Sequence, residues 1–185
     1  HLPRRRPPRP CSSANPPSPA EPAGTAMTDP VVVTGSASGL GAAVARRLAD
    51  GGRSVIGVDV RPGADVVADL GTPDGRALAL ASIRERTGAL DGLVSCAAVS
   101  PIHDDPATVV SVNYFGALAV LDGLRPALQQ GSAPAAIAIS SIGAVDGSAD
   151  AALLGVLREG DEGAARAVAA NGTAYRSAIA YSSAK

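Results

Sequence analysis

The 185-residue chain carries seventeen acidic against sixteen basic residues, a formal charge of −1, so no basic surface for nucleic acid is implied. Hydrophobic residues make up 46% and aromatics only 2%, and no apolar run approaching the roughly 18 residues of a membrane span stands out. Two widely separated cysteines, Cys11 and Cys96, do not make a disulfide framework, and a reducing cytosol is the expected compartment.

Nine of the fifteen prolines fall in the first thirty residues, beside Arg4, Arg5, Arg6 and Arg9. Proline at this density prevents a helix, and the few apolar side chains bury too little surface to offset the entropy of ordering. Residues 1–29 are therefore expected to form a disordered extension. They have neither the apolar segment of a secretory signal nor the amphipathic helix of a transit peptide. Met27, the one methionine, stands just before the first apolar strand and is the expected natural start.

From Val31 onward, short β-branched runs alternate with alanine-rich stretches of helical length. Residues 31–34 read as a buried strand, 40–49 as a helix, and 54–59 and 65–68 as further strands. Residues 73–86 read as a helix with proline at its start, where a missing N–H costs nothing. Residues 91–97 read as a fourth strand, 106–130 as one long helix and 135–140 as a fifth strand. Strands separated by helices imply right-handed βαβ units and a Rossmann-type, doubly wound α/β fold over 30–185, with helices on both faces of a parallel sheet. Within it, about 148–172 reads as an inserted pair of amphipathic helices, or a single one.

Between the first strand and helix lies Thr34-Gly35-Ser36-Ala37-Ser38-Gly39-Leu40-Gly41. Glycines in this place let the chain turn sharply and bring backbone close to a pyrophosphate, while the helix aims free N–H groups and its positive end at the phosphates. The second strand ends at Asp59, whose carboxylate suits ribose hydroxyls and repels a 2′-phosphate. The loop has no lysine or arginine to pair with such a phosphate. Arg61 is near, but Asp59 stands in the way, so NAD is favoured over NADP. His103 beside Asp104 and Asp105 lacks metal-ligand spacing, and no metal is expected.

The spacing Thr-Gly-x-x-x-Gly-x-Gly, with serine and Tyr-x-x-x-Lys far downstream, resembles the short-chain dehydrogenase/reductase family over residues 30–185. Segments 57–61, 68–70, 91–94, 109–117 and 134–141 are similar to its bacterial 3α-hydroxysteroid dehydrogenase/carbonyl reductase branch. The resemblance implies an NAD-dependent oxidoreductase interconverting a secondary alcohol and a ketone, with a 3α-hydroxysteroid or related carbonyl compound as substrate. A coniferyl-alcohol-type aromatic substrate, or a non-catalytic NAD-binding module, are the alternatives. A homo-oligomer and no membrane partner are expected.

By position, the resemblance makes Asn113, Ser141, Tyr181 and Lys185 the catalytic group. It assigns cofactor contacts to Thr34, Gly35, Ser38, Gly39, Leu40 and Gly41 of the loop, and to Asp59. Asp69 falls beside the adenine, Leu70 next to it and Cys96 and Ala97 at the end of the fourth strand are further cofactor contacts, and Tyr181 and Lys185 reach the nicotinamide end. Cys96 by itself reads as a small buried hydrophobe. Where the family has Asn-Asn-Ala-Gly, this chain has Ser95-Cys96-Ala97-Ala98, and the methyl of Ala98 bears on cofactor affinity.

The chemistry accounts for these residue types. A phenol of ordinary pKa, about 10, is a poor base at neutral pH, and a neighbouring cation favours its ionised form. Tyr181 and Lys185 are four apart, which places both on one helical face. A serine hydroxyl donates to the developing alkoxide, and an asparagine amide can hold a water that relays protons. Ser141 and Tyr181 lie forty positions apart, farther than is usual in the family, and the insertion between them is expected at the mouth of the substrate site or at a subunit interface. Family members continue beyond the helix of the catalytic pair, so a chain stopping at Lys185 is expected to be partial and poorly active.

Overall fold

The computed structural model describes residues 28–171 and 176–185. The expectations for residues 1–27, Met27 included, and for residue 172 at the end of the insertion lie outside the described residues.

Five strands form one parallel sheet: β1 (Val31–Thr34), β2 (Val55–Asp59), β3 (Val66–Val67), β4 (Gly92–Ser95) and β5 (Ala135–Ala138), in the order β3-β2-β1-β4-β5. β1 lies at the centre because its four residues are buried on both faces, as a run of Val-Val-Val-Thr without a polar alternation requires. Its register places Val31 beside Val55 and Gly92, and Thr34 beside Val58 and Ser95. The carboxyl ends of β1, β2 and β4 therefore stand level. The order reverses between β1 and β4, and in such sheets that reversal opens a crevice for a ligand.

Helices α1 (Gly39–Asp50), α2 (Pro73–Arg86), α3 (Pro106–Val110) and α4 (Ala117–Leu128) connect the strands. The strands are shorter than expected for β3, β4 and β5. Their flanking residues carry strand-like side chains but find fewer ladder partners, since β3 meets β2 only at Val66 and Val67. The main core joins Val32, Val58 and Leu93 of the sheet to Ile83 of α2 and Val120 and Leu124 of α4, all fully buried. Each such side chain contributes about 1.5–3 kcal/mol by leaving water.

The long helix departs from the expectation in two ways. It ends at Leu128, and between α3 and α4 the residues Ser111–Gly116 form a π-helical segment, so the run is continuous but not uniformly α. By length and mean hydropathy (1.4), Pro106–Leu128 also meets the requirement for crossing a bilayer, which amends the reading that no such stretch exists. Its Val109, Val110, Val120 and Leu124 are fully buried against the sheet and neighbouring helices, the packing of a core helix.

The insertion forms two helices, α5 (Ala151–Glu159) and α6 (Glu162–Ala170), followed by α7 (Arg176–Ser183). Asp150 and Asp161 cap α5 and α6 by accepting from Leu153 N (2.7 Å) and Ala164 N (2.9 Å), each worth about 1 kcal/mol. Leu153, Leu157, Ala165 and Ala169 pack with Val109, Val110, Phe115 and Ala180 into a second core. The insertion thus covers α3 and braces α7.

Asp91 fixes the start of β4 to its surroundings. One carboxylate oxygen accepts from Ser132 N (2.9 Å), Ser132 Oγ (3.1 Å) and Ala133 N (3.2 Å), and the other from Arg53 (3.0 Å). These bonds, that from Ala133 N foremost, hold the carboxyl pKa below its ordinary value. The folded state therefore gains stability above the unfolded carboxylate's pKa and loses it as pH falls through the lower folded one. Asp91→Asn should melt several degrees below the parent at pH 7, and acid titration of both melting curves should bring them together.

Candidate active site

The loop Gly35–Ser38 turns from β1 into α1 at the level end of the sheet. Gly35 N donates to the Val58 carbonyl (2.8 Å), which ties the loop to β2. Gly41 lies directly under it: a Cβ there would stand 2.1 Å from the Gly35 carbonyl oxygen, so only glycine allows helix and loop to pack this closely. Gly39, at φ +53°, has nothing within 4 Å of where a Cβ would stand. Ser38 is the N-cap of α1 but makes no side-chain capping bond, unlike Thr72, Asp105, Asp150 and Asp161 at other helix starts. The first N–H groups of α1 are therefore left for a ligand, as a pyrophosphate-binding helix requires.

Asp59, 8% exposed, accepts from Ala37 N through one oxygen (2.9 Å) and from Arg61 N through the other (3.0 Å). The same carboxylate lines a cavity of about 410 Å³ with Gly35, Ser38, Gly39, Leu40 and Gly41. Asp69, Leu70, Cys96 and Ala97 line it too. Thr34 stays behind the wall: fully buried, its Oγ1 accepts from Ala97 N (3.0 Å) and so fixes the far side of the cavity. Asp69 is exposed and accepts from Gly71 N (2.8 Å). Burial pushes the Cys96 thiol pKa up, with Lys185 pulling the other way. Ala98 also lines the cavity, and among the described residues no side-chain-bearing residue has positive φ, so Ala98 sits in an ordinary backbone conformation.

Two of the catalytic candidates, Tyr181 and Lys185, meet beyond β5. Lys185 Nζ donates to the Ile139 carbonyl (3.1 Å), and Ser140 Oγ donates to the Lys185 carbonyl (3.0 Å). The Lys185 ammonium lies 5.7 Å from the centre of the Tyr181 ring. Burial holds the Lys185 pKa below an ordinary lysine's, so its charge beside Tyr181 is lost earlier as pH rises. Ser141 caps the short turn Ile142–Ala144 by accepting from Gly143 N (3.3 Å), and that turn packs against α7. A Cβ on Gly143 would stand 2.7 Å from Ser182 Oγ, which shows how closely the two meet. Residues 139–141 and 181–185 are thus held together across the insertion.

Asn113 sits in the π segment, 4% exposed, and uses both ends of its amide on Val99: Oδ1 accepts from Val99 N (2.8 Å) and Nδ2 donates to the Val99 carbonyl (3.1 Å). Its amide anchors the loop after β4, leaving one N–H for the expected water. Asn113 and Lys185 line a second cavity, of about 200 Å³, with Ser95, Ala97 and Ile139. Tyr181 and Lys185 do not line the larger cavity. Sequence reasoning did not single out Val99, Thr108 and Val112, which do; for Thr108 and Val112, four apart on the long helix, helical spacing was the available signal.

The sequence pattern of the family described as short chain dehydrogenase matches residues 29–153. The chain belongs to that family. Among curated relatives, the 3-alpha-hydroxysteroid dehydrogenase/carbonyl reductase of Comamonas testosteroni is 38% identical over 157 residues, 84% of this chain and 61% of the relative. The coniferyl-alcohol dehydrogenase of Pseudomonas sp. (strain HR199 / DSM 7063) is 39% identical, over 55% of this chain and 40% of the relative. Among solved structures, the 3-alpha-hydroxysteroid dehydrogenase from Pseudomonas sp. B-0831, complexed with NADH, superposes with a TM-score of 0.79 at 43% identity, covering 84% of this chain and 61% of that one. This short-chain dehydrogenase chain therefore spans about three fifths of the length of the two hydroxysteroid dehydrogenases and two fifths of that of the coniferyl-alcohol dehydrogenase. The resemblance read from the glycine loop and Tyr-x-x-x-Lys is borne out at the level of family and fold.

Proposed function

We propose that the whole protein is an NAD-dependent oxidoreductase that interconverts a secondary alcohol and a ketone, with a hydroxysteroid-like carbonyl compound as substrate. The observation that carries this reading is that the glycine loop and Asp59 line one cavity, while Lys185, 5.7 Å from the centre of the Tyr181 ring, lines a second cavity that shares Ala97 with it. The residues present fit a dinucleotide: an uncapped helix start, a glycine with open space at residue 39, and an acidic group where a 2′-phosphate would be repelled. Gly39, Leu40 and Gly41 would hold its phosphates, and Asp59 its adenosine ribose. When bound, the nicotinamide supplies hydride transfer.

The chain's own residues manage the proton and the orientation. Tyr181 gives a proton to the carbonyl oxygen during reduction and removes it during oxidation. Lys185, anchored on Ile139, keeps a positive charge beside that ring. Ser141 donates to the same substrate oxygen and fixes its position. The loops after β4 and β5 expose Ile102 (88%), Ile142 (78%) and Val145 (78%), bulky apolar side chains that suit a substrate with a large apolar body. This favours a ring-rich carbonyl compound over a sugar. The matched coniferyl-alcohol dehydrogenase supports an aromatic alcohol as a second reading. The reading carries with it a reducing cytosol and a homo-oligomer.

The test assays full-length protein in both directions with a steroid ketone panel, coniferyl alcohol, NADH and NADPH. Steroid ketone reduction with NADH supports the first reading, and coniferyl alcohol oxidation alone moves the choice to the second. NADH binding without turnover of either makes the protein a binding module. In the same assay Asp59→Ala should raise the KM for NADH about tenfold or more, because the ribose acceptor and the Ala37 anchor go together. An unchanged KM would remove Asp59 from the site.

A further inference from the structure

The insertion reaches the dinucleotide cavity through specific polar contacts rather than by lining it. Arg166 on α6 donates from one nitrogen to Ser111 Oγ (2.6 Å) and to the Ala107 carbonyl (3.3 Å). Ser111 is 1% exposed and opens the π segment. Two residues later Asn113 holds Val99 by both backbone groups, and Val99 lines the cavity. At the start of α6, Glu162 pairs with the buried Arg76 of α2 (2.5 Å). Thr72, which caps α2, hydrogen-bonds in turn to the carbonyl of Asp69 on the opposite wall. The inserted helix is therefore fastened to both sides of the cavity, by arginines whose charge strengthens each bond.

We infer that Arg166 is a positioning residue for the reaction: acting through Ser111, it fixes the π segment and so the placement of Asn113 and Val99. This rests on the functional reading above. Without its guanidinium, the buried Ser111 hydroxyl loses its donor, and a hydroxyl so placed turns to find another partner. The π segment carries that shift to Asn113, two residues away. The glycine loop and Asp59, on the other side of β1, keep their bonds, so nucleotide affinity is spared while the alignment of the reacting groups is not.

The test uses full-length protein. Arg166→Met should lower kcat about tenfold with the KM for NADH within about twofold, Ser111→Ala should do the same, and the double variant should fall no further. Arg166→Lys, which keeps one charged donor, should recover part of the loss. Independently of turnover, hydrogen exchange at the Val99 amide should quicken in Arg166→Met while the amide of Leu93 in β4 keeps its protection. Unchanged kcat together with unchanged Val99 exchange overturns the inference. So do multiplicative losses in the double variant, or a drop in melting temperature with all amides exchanging faster. If the parent protein turns over none of the substrates, the functional reading fails, and Val99 exchange alone then decides the positioning role.

Discussion

Tyr181→Phe should lower turnover about 10²–10⁴-fold, the range for losing a positioned general acid and base. The substitution removes one oxygen from a half-buried ring that packs against the second core, so the contacts with Leu153, Ala180 and their neighbours persist. Melting temperature should therefore hardly move, and NADH affinity, set by the glycine loop and Asp59, should stay within about threefold. Lys185→Met should lower turnover too, with a different signature. It also breaks the bond to the Ile139 carbonyl and loosens the join between α7 and the end of β5, so stability falls with activity. Stopped-flow turnover beside fluorescence titration of NADH separates these effects. Full turnover by Tyr181→Phe would end the acid–base assignment, and an equal loss of NADH affinity would make the tyrosine a binding group only.

Gly41→Ala should be the most damaging single methyl in the glycine loop. The new carbon would sit 2.1 Å from the Gly35 oxygen, 2.7 Å from its carbonyl carbon and 3.0 Å from the Thr34 oxygen. All three are backbone, so no flexible side chain can give way and the loop itself must move. The cost to folding should be about 1–3 kcal/mol. A loop displaced by that much strain should bind NADH about a hundredfold more weakly. Gly155→Ala serves as the control: it lies within α5 with nothing inside 4 Å of the added carbon, and alanine there should stabilise by about 0.5–1 kcal/mol. Thermal melts with and without NADH measure both quantities. A Gly41→Ala protein that melts and binds like the parent would show that the loop packs differently.

The sheet and the glycine loop were legible because the sequence states them locally. Val-Val-Val-Thr followed by a glycine-rich turn and an alanine-rich stretch allows little but a buried strand, a phosphate loop and a helix. Asp59 was legible for the same reason, as the residue at a strand end. Its bonds to Ala37 and Arg61 were not, because they depend on how the loop folds back. Thr34 shows the limit of a motif: the pattern marks the position, while the hydroxyl serves Ala97, 63 residues away, and never reaches the cavity. The π segment escaped because a wider turn leaves no mark on helical periodicity; it is visible only where Asn113 meets Val99. The pairing of residues 139–141 with 181–185 was readable from the family's motif, but the insertion's grip on Ser111 depends on tertiary packing alone.

The Thr34–Ala97 bond also bears on when the cavity comes into existence during folding. It joins the first strand to the segment after the fourth, across two helices and three strands. Contacts of such sequence separation are slow to form, since loop closure must be met before they stabilise anything. The glycine loop can take its shape against β2 early, but the opposite wall arrives only when β4 has docked on β1. A dinucleotide arriving during refolding thus finds a half-site first and a complete one last. Refolding followed by NADH fluorescence should consequently lag refolding followed by the far-ultraviolet signal of the helices.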